Sequence, residues 1–211
     1  FGTFGEIMLY GKQERTQATA KAIVTRLQKL HNTINLFDAE SELSQLNATA
    51  YEEPFECSEE LWHLIQQARR GYRLTDGAFD VTVAPLMVLW GFHSQRDGIP
   101  SAAELAPVRR AVGLNSVLFN PEKKSVRFTH PYTAFDMGGI AKGYGLDLAA
   151  DIAAENEVSA GLINLGGNIR ALDVPEGRRG TYNIGLQHPR QKDEVMGRVA
   201  LENTCVATSG D

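Results

Sequence analysis

Seven of the 20 glycines fall between Gly138 and Gly167, where the chain average leads one to expect about three. The polar residues best able to do chemistry cluster around them. The first cluster reads Asp136-Met137-Gly138-Gly139-Ile140-Ala141-Lys142-Gly143-Tyr144-Gly145 and opens a helical pattern. Paired glycines at a helix N-terminus let backbone N–H groups approach a ligand closely. The positive end of the macrodipole favours phosphate there, and Lys142 can add a cation. Neither familiar phosphate loop is present, however. A Walker loop needs glycine where Ala141 stands, and the dinucleotide fingerprint read from Gly143 and Gly145 needs glycine where Leu148 stands. On the residues alone, these glycines serve close helix–sheet packing as readily as ligand binding.

The second cluster, Asn164-Leu165-Gly166-Gly167-Asn168, lies between two strand-like runs and reads as a tight turn, with a bulge or close backbone approach as the alternative. A third constellation runs from Thr75-Asp76-Gly77 through Ala78, Phe79 and Asp80 to Leu89-Trp90-Gly91-Phe92. Asp80 precedes an apolar run and reads as a helix cap, the alternative being a hydrogen bond to a ligand. Trp90 and Phe92 read as core. The histidines His31, His63, His93, His130 and His188 are dispersed. None has the spacing of a zinc-protease helix, and no Gly-x-Ser-x-Gly elbow occurs. Cys57 and Cys205 belong to no Cys-x-x-Cys pattern and read as small, half-buried apolar residues.

These groups need a scaffold, and the apolar periodicity supplies one. Phe1–Gly11 reads as an opening strand. Ile23, Leu27, Leu30 and Ile34 share one face of a helix that begins near Thr16 and stops near Phe37. Ser58 caps a second helix with Leu61, Leu64, Ile65, Ala68 and Tyr72 as its stripe. Ser101 and Glu104 have capping-box spacing for a short helix that Pro107 restarts or kinks. Residues 116–120 and 125–129 read as a hairpin. A third long helix follows Met137 with Ile140, Tyr144, Leu148 and Ile152 as its buried face. Short strand-like runs then cover 161–165, 168–172, 181–187, 198–202 and 205–208. Helices early and strands late make this an α+β chain, with helices packed against a mixed or antiparallel sheet.

Bulk properties narrow the function. A chain of 211 residues buries enough surface for a core without staples. A net charge of −5, with no basic run of five or more, points away from nucleic acid as a partner. No stretch of 18 apolar residues reads as a transmembrane helix. Phe1 opens directly into strand-like sequence, so no signal peptide is expected within the chain.

Taken together and in order, the motifs resemble the ApbE family of FAD:protein FMN transferases. They are Gly2-Thr3, Ser41-Glu42-Leu43-Ser44-Gln45-Leu46-Asn47, Gly77–Pro85, Leu89-Trp90-Gly91-Phe92, Asp136–Tyr144, Ile163–Ile169 and Ala207-Thr208-Ser209-Gly210-Asp211. The resemblance runs from end to end and implies a single ApbE-like domain over 1–211. It implies an enzyme that binds FAD, splits its pyrophosphate with Mg²⁺ and joins FMN by a phosphoester bond to a threonine of a target protein, releasing AMP. The acceptor it implies is a subunit of a redox complex. The alternatives are a pyrophosphatase yielding free FMN and AMP, or a non-catalytic FAD-binding protein. The resemblance also implies the bacterial cell envelope or periplasm, with a membrane-anchored lipoprotein as precursor.

By position, the resemblance places FAD contacts at Phe1, Phe37, Ala78, Phe79, Asp80, Asp136 and Lys142, and a metal contact at the main-chain carbonyl of Gly139. Family members continue beyond Ser-Gly-Asp into a His-x-x-Asp-Pro segment and a helix bearing Asp and Thr that completes the metal site. The resemblance therefore implies that the C-terminal part of the fold, the general base and the side-chain metal ligands lie outside this chain. No catalytic residue is assigned, since none of the five histidines matches that motif. Residues 1–211 alone are expected to bind flavin weakly and to be catalytically deficient.

Overall fold

The computed structural model describes residues 2–93, 96, 98–191 and 193–209. In chain order the elements are β1 (Gly5–Tyr10), α1 (Gln13–Ile34), α2 (Glu42–Thr49), β2 (Phe55–Glu56), α3 (Glu59–Leu74) and α4 (Ala84–Leu89). They continue with α5 (Ala102–Ala111), β3 (Val117–Asn120), β4 (Ser125–Phe128), α6 (Gly138–Glu155) and β5 (Ala160–Leu165). The last are β6 (Asn168–Ala171), β7 (Tyr182–Gln187), β8 (Val195–Leu201) and β9 (Cys205–Val206). Every strand pairing among them is antiparallel. This is the α+β architecture expected from the order of the patterns. Among the described residues, no helix is long and apolar enough to cross a membrane.

The chain forms two compact units. One comprises residues 1–29 and 142–211, the other residues 30–141. In the first, the sheet order is β1-β5-β6-β9. Strand alternation sends Ile7, Leu9, Ile163 and Leu165 to one face, where they pack with Ile23 and Leu27 of α1 and Leu146 and Ala149 of α6. Residues of opposite parity, among them Tyr10, Leu162, Ile169 and Ala171, meet Tyr182, Ile184, Val199 and Leu201 of the β7–β8 hairpin. The sheet is thus buried on both sides.

The expected face of α6 needs correction. Ile140, Tyr144, Leu148 and Ile152 are only half-buried, while Ala141, Leu146, Ala149 and Ala153 are fully buried. The helix turns mostly small residues inward, which allows close approach to the sheet. Its larger side chains flank the contact.

The second unit is built on α2, α3 and the three-stranded sheet β2-β4-β3. Its core includes Leu43, Leu46, Leu61, Leu64, Ile65, Val126, Phe128 and Phe135. Ser58 caps α3 as expected, its Oγ accepting from the Leu61 N–H at 3.3 Å. Ser101 and Glu104 form the reciprocal capping box on α5, which runs through Pro107. Both cysteines are free. Cys57 is half-buried as expected, but Cys205 is exposed on the two-residue edge strand β9.

Candidate functional site

Several residues singled out from the sequence converge in the second unit, and Asp136 is their hub. Asn47, the last residue of the Ser41–Asn47 motif, clamps the residue before it. Its Oδ1 accepts from Phe135 N–H at 2.7 Å, and its Nδ2 donates to Phe135 O at 2.9 Å. The N–H of Asp136 donates to Val81 O at 2.7 Å. Its side chain is held as firmly: Oδ1 accepts from the Gly138 N–H at 2.7 Å, and Oδ2 lies 2.8 Å from His93 Nε2. The His93 and Phe37 rings in turn pack edge to face, with centroids 5.5 Å apart and planes at 81°. Phe37 is 77% exposed, fixed from below by a turn in which Asn35 Oδ1 accepts from the Phe37 N–H. An exposed aromatic ring, a histidine, a carboxylate and an exposed glycine pair thus stand side by side.

The other motif residues prepare this arrangement. Ser41 caps α2 through the Ser44 N–H. Both carboxylate oxygens of Glu42 accept from Ser58, one from its N–H and one from its hydroxyl, each at 2.6 Å. That ties the start of α2 to the start of α3. Asp80 is a cap, as expected: its Oδ1 accepts from the N–H and hydroxyl of Thr82. The Thr82 Oγ1 accepts from the Gly113 N–H at 2.6 Å. Phe79 N–H donates to Thr75 Oγ1, and the Phe79 ring lies where a side chain at Gly71 or Gly139 would meet it, at 2.9 and 3.1 Å. Ala78 is exposed beside them.

These contacts resolve the open question about Gly138 and Gly139. A Cβ at Gly138 would stand 3.0 Å from Asp136 Oδ1, and one at Gly139 would press on Phe79. Their first use is to let a carboxylate and a ring come close. Both glycines remain exposed, so the start of α6 is accessible. The first amide is nevertheless taken by Asp136, so the expected cradle of free N–H groups for phosphate is narrower than the sequence suggested. The carboxylate also answers the positive end of the helix dipole.

The remaining expectations fall elsewhere. Lys142 lies half-buried on α6 in the first unit, and Phe1 lies outside the described residues, as do Gly210 and Asp211. Trp90 and Phe92, expected in the core, are 46% and 71% exposed, because they follow α4 into a turn at its C-terminal end. The Gly166-Gly167 pair is the tight turn expected: φ is +56° and +85°, and Leu165 pairs with Asn168 across it. Thr3 and Thr208 collect around that turn, with Thr3 beside Gly166 and Thr208 Oγ1 3.5 Å from Gly167 O.

His93 and Asn47 were missed as site residues. Asn47 carried a signal, closing a motif in which Ser41, Glu42 and Ser44 are also bonded. His93 directly follows the Trp90-Gly91-Phe92 motif, but nothing local links it to a partner 43 residues away. Among the described residues, no group of three His, Cys, Asp or Glu side chains is placed to hold a metal. A magnesium ligand supplied by this chain would therefore be a main-chain oxygen or a lone carboxylate completed by water, which suits the exposed start of α6 at Gly139.

The fold that carries this site is an α+β domain with antiparallel sheets, and solved structures share it. The structure superimposes on the ApbE protein of Thermotoga maritima with a TM-score of 0.90 at 32% identity, covering 100% of this chain and 68% of that one. For the flavin transferase ApbE of Vibrio cholerae the values are 0.88 and 27%, covering 100% and 69%. The ApbE family model matches residues 1–211, and the chain belongs to that family. Curated relatives named FAD:protein FMN transferase include one from Klebsiella pneumoniae, 29% identical over 209 residues. That alignment takes in 98% of this chain and 63% of the relative. Another, from Vibrio cholerae, is 30% identical over 202 residues, 92% of this chain and 59% of the relative. The chain thus spans about 60% of the length of these relatives.

Proposed function

We propose that the protein is a Mg²⁺-dependent FAD:protein FMN transferase. The reaction forms a bond between a threonine Oγ of the acceptor and the FMN-side phosphorus of FAD. It breaks the bond from that phosphorus to the bridging oxygen, which leaves with AMP, and the hydroxyl proton passes to a base. Attack on a doubly anionic pyrophosphate requires charge neutralisation, which is what a magnesium ion supplies when bound. The Gly139 carbonyl is the ligand we propose from this chain.

The observation that carries this reading is the clamped Asp136 at the open start of α6, in a chain matched by the ApbE family model throughout. Asp136 acts as an organiser, since both its oxygens already accept hydrogen bonds. Phe37 offers an exposed apolar face on which a planar ring can stack. Ala78, Phe79 and Asp80, together with Phe1 and Lys142, complete the proposed FAD contacts. We propose a redox-complex subunit as acceptor and the bacterial cell envelope as the place of action.

The test is to incubate the complete protein with FAD, Mg²⁺ and a threonine-bearing acceptor, and to read acceptor mass and AMP together. The expected outcome is one FMN on the acceptor per AMP released, abolished by EDTA. Free FMN with an unmodified acceptor would make it a pyrophosphatase. FAD retention without AMP release would make it a binding protein.

A further inference from the structure

The contact between His93 and Asp136 joins two remote parts of the chain, the Phe37 ring against His93 adds a third, and the cluster reaches the surface. The two side chains are 20% and 11% exposed, with Nε2 and Oδ2 2.8 Å apart. Beyond the histidine stands Phe37, 77% exposed. Beyond the aspartate stand Gly138 and Gly139, also exposed. The histidine therefore bridges an open aromatic face and the open start of a helix. Two other histidines show the contrast. His130 and His188 use Nδ1 to accept N–H groups from their own turns, Tyr132 in one case and Arg190 and Gln191 in the other.

The geometry of Asp136 shows what the bridge does. The Gly138 N–H fixes Oδ1, in a turn closed within three residues. One bond leaves the carboxylate free to swing about its side-chain torsions. The second, from His93 to Oδ2, fixes its plane as well. A carboxylate carries about four acceptor directions, so a doubly held Asp136 keeps defined lone pairs for a ligand. Without His93, Oδ2 would turn to water, and Phe37 would lose the ring it packs against.

We propose that His93 is a positioning residue that couples Phe37 to Asp136 and sets the affinity for FAD by holding both in a ligand-ready arrangement. This rests on the function proposed above. The group required at position 93 is an N–H donor at the reach of Nε2. A glutamine can supply it, whereas an asparagine, one methylene shorter, stops short of Oδ2.

The experiment measures FAD dissociation constants for the complete protein by flavin fluorescence, with the ligand-free melting temperature of each variant. We expect H93A and H93N to weaken FAD binding roughly tenfold, since a hydrogen bond to a charged group is lost. H93Q should recover most of that affinity. The double variant H93A/D136A should be weaker than D136A alone by clearly less than tenfold, because the share of the histidine's effect that passes through the aspartate is already lost. In steady state, H93A should raise KM for FAD with little change in kcat. Wild-type affinity in H93A, equal effects of H93Q and H93N, or additive effects in the double variant would each overturn the inference. Should H93A fail to fold, the comparison of H93Q with H93N decides the same question. A wild-type protein that does not bind FAD overturns the function itself, and this inference with it, which separates the two failures.

Discussion

The chain contains two Gly-Gly pairs in motifs of similar appearance, and the structure uses them for opposite reasons. Gly166 and Gly167 adopt φ of +56° and +85°, the two-residue turn whose twist suits adjoining antiparallel strands. There the backbone conformation demands glycine. Gly138 and Gly139 begin a helix with no positive φ, and what excludes a side chain is a neighbour: the Asp136 carboxylate at one and the Phe79 ring at the other. The first pair shapes the chain, and the second makes room. Glycine in a motif thus has two physical meanings, and only one of them should register in stability.

The sharpest way to break this comparison is alanine at Gly166. A left-handed conformation costs an L-residue about 1–2 kcal/mol, and the new Cβ would also run into the Thr3 side chain. We expect Gly166→Ala to destabilise the protein by about 2–4 kcal/mol in chemical denaturation. A loss below about 0.5 kcal/mol would mean that the turn relaxes easily and the distinction fails.

Gly138→Ala should do the reverse. Alanine gains about 1 kcal/mol in helix propensity, offset by pressure on Asp136 Oδ1 at 3.0 Å. Ligand-free stability should change by less than about 1 kcal/mol, while FAD binding falls roughly tenfold as the carboxylate is displaced. At Gly139 the obstacle is the edge of an aromatic ring that can shift by a few tenths of an ångström, so Gly139→Ala should weaken FAD binding by a smaller factor. A drop in stability at 138 as large as at 166 would show that both pairs serve the backbone.

The same distinction explains how much was legible beforehand. Features closed within a few residues were readable: the Ser58 cap, the Ser101–Glu104 box, the Gly166-Gly167 turn, and the face of α1 through Ile23, Leu27, Leu30 and Ile34. The buried face of α6 differs from the stripe of large apolar residues because small residues are what a helix lying close to a sheet needs. Trp90 and Phe92 are exposed because aromatic type alone does not dictate burial. At the site, Asp136 came from the family resemblance. Its partner His93 acts across 43 residues, and Asn47 holds the preceding Phe135 across 88; no periodicity in a single sequence encodes such pairings.

The smallest effect we expect sharpens the comparison by reporting on each unit separately, since each holds one cysteine. Burial, aided by the negative charge of Glu42, pushes the Cys57 thiol up to about 12. Because the thiolate is the reactive form, very little of Cys57 is reactive at pH 8 even where reagent can reach it. Cys205 is exposed at the sheet edge. A thiol reagent at pH 8 should therefore modify one cysteine per native chain quickly and the second only after denaturation, with the fast site mapped to Cys205 by peptide mass. Gly138→Ala should leave Cys57 protected, because its disturbance is confined to the Asp136 carboxylate. If Cys57 in that variant reacted as fast as Cys205, the effect of a side chain at Gly138 would extend into the fold of its unit, and the claim that this glycine merely makes room would be wrong.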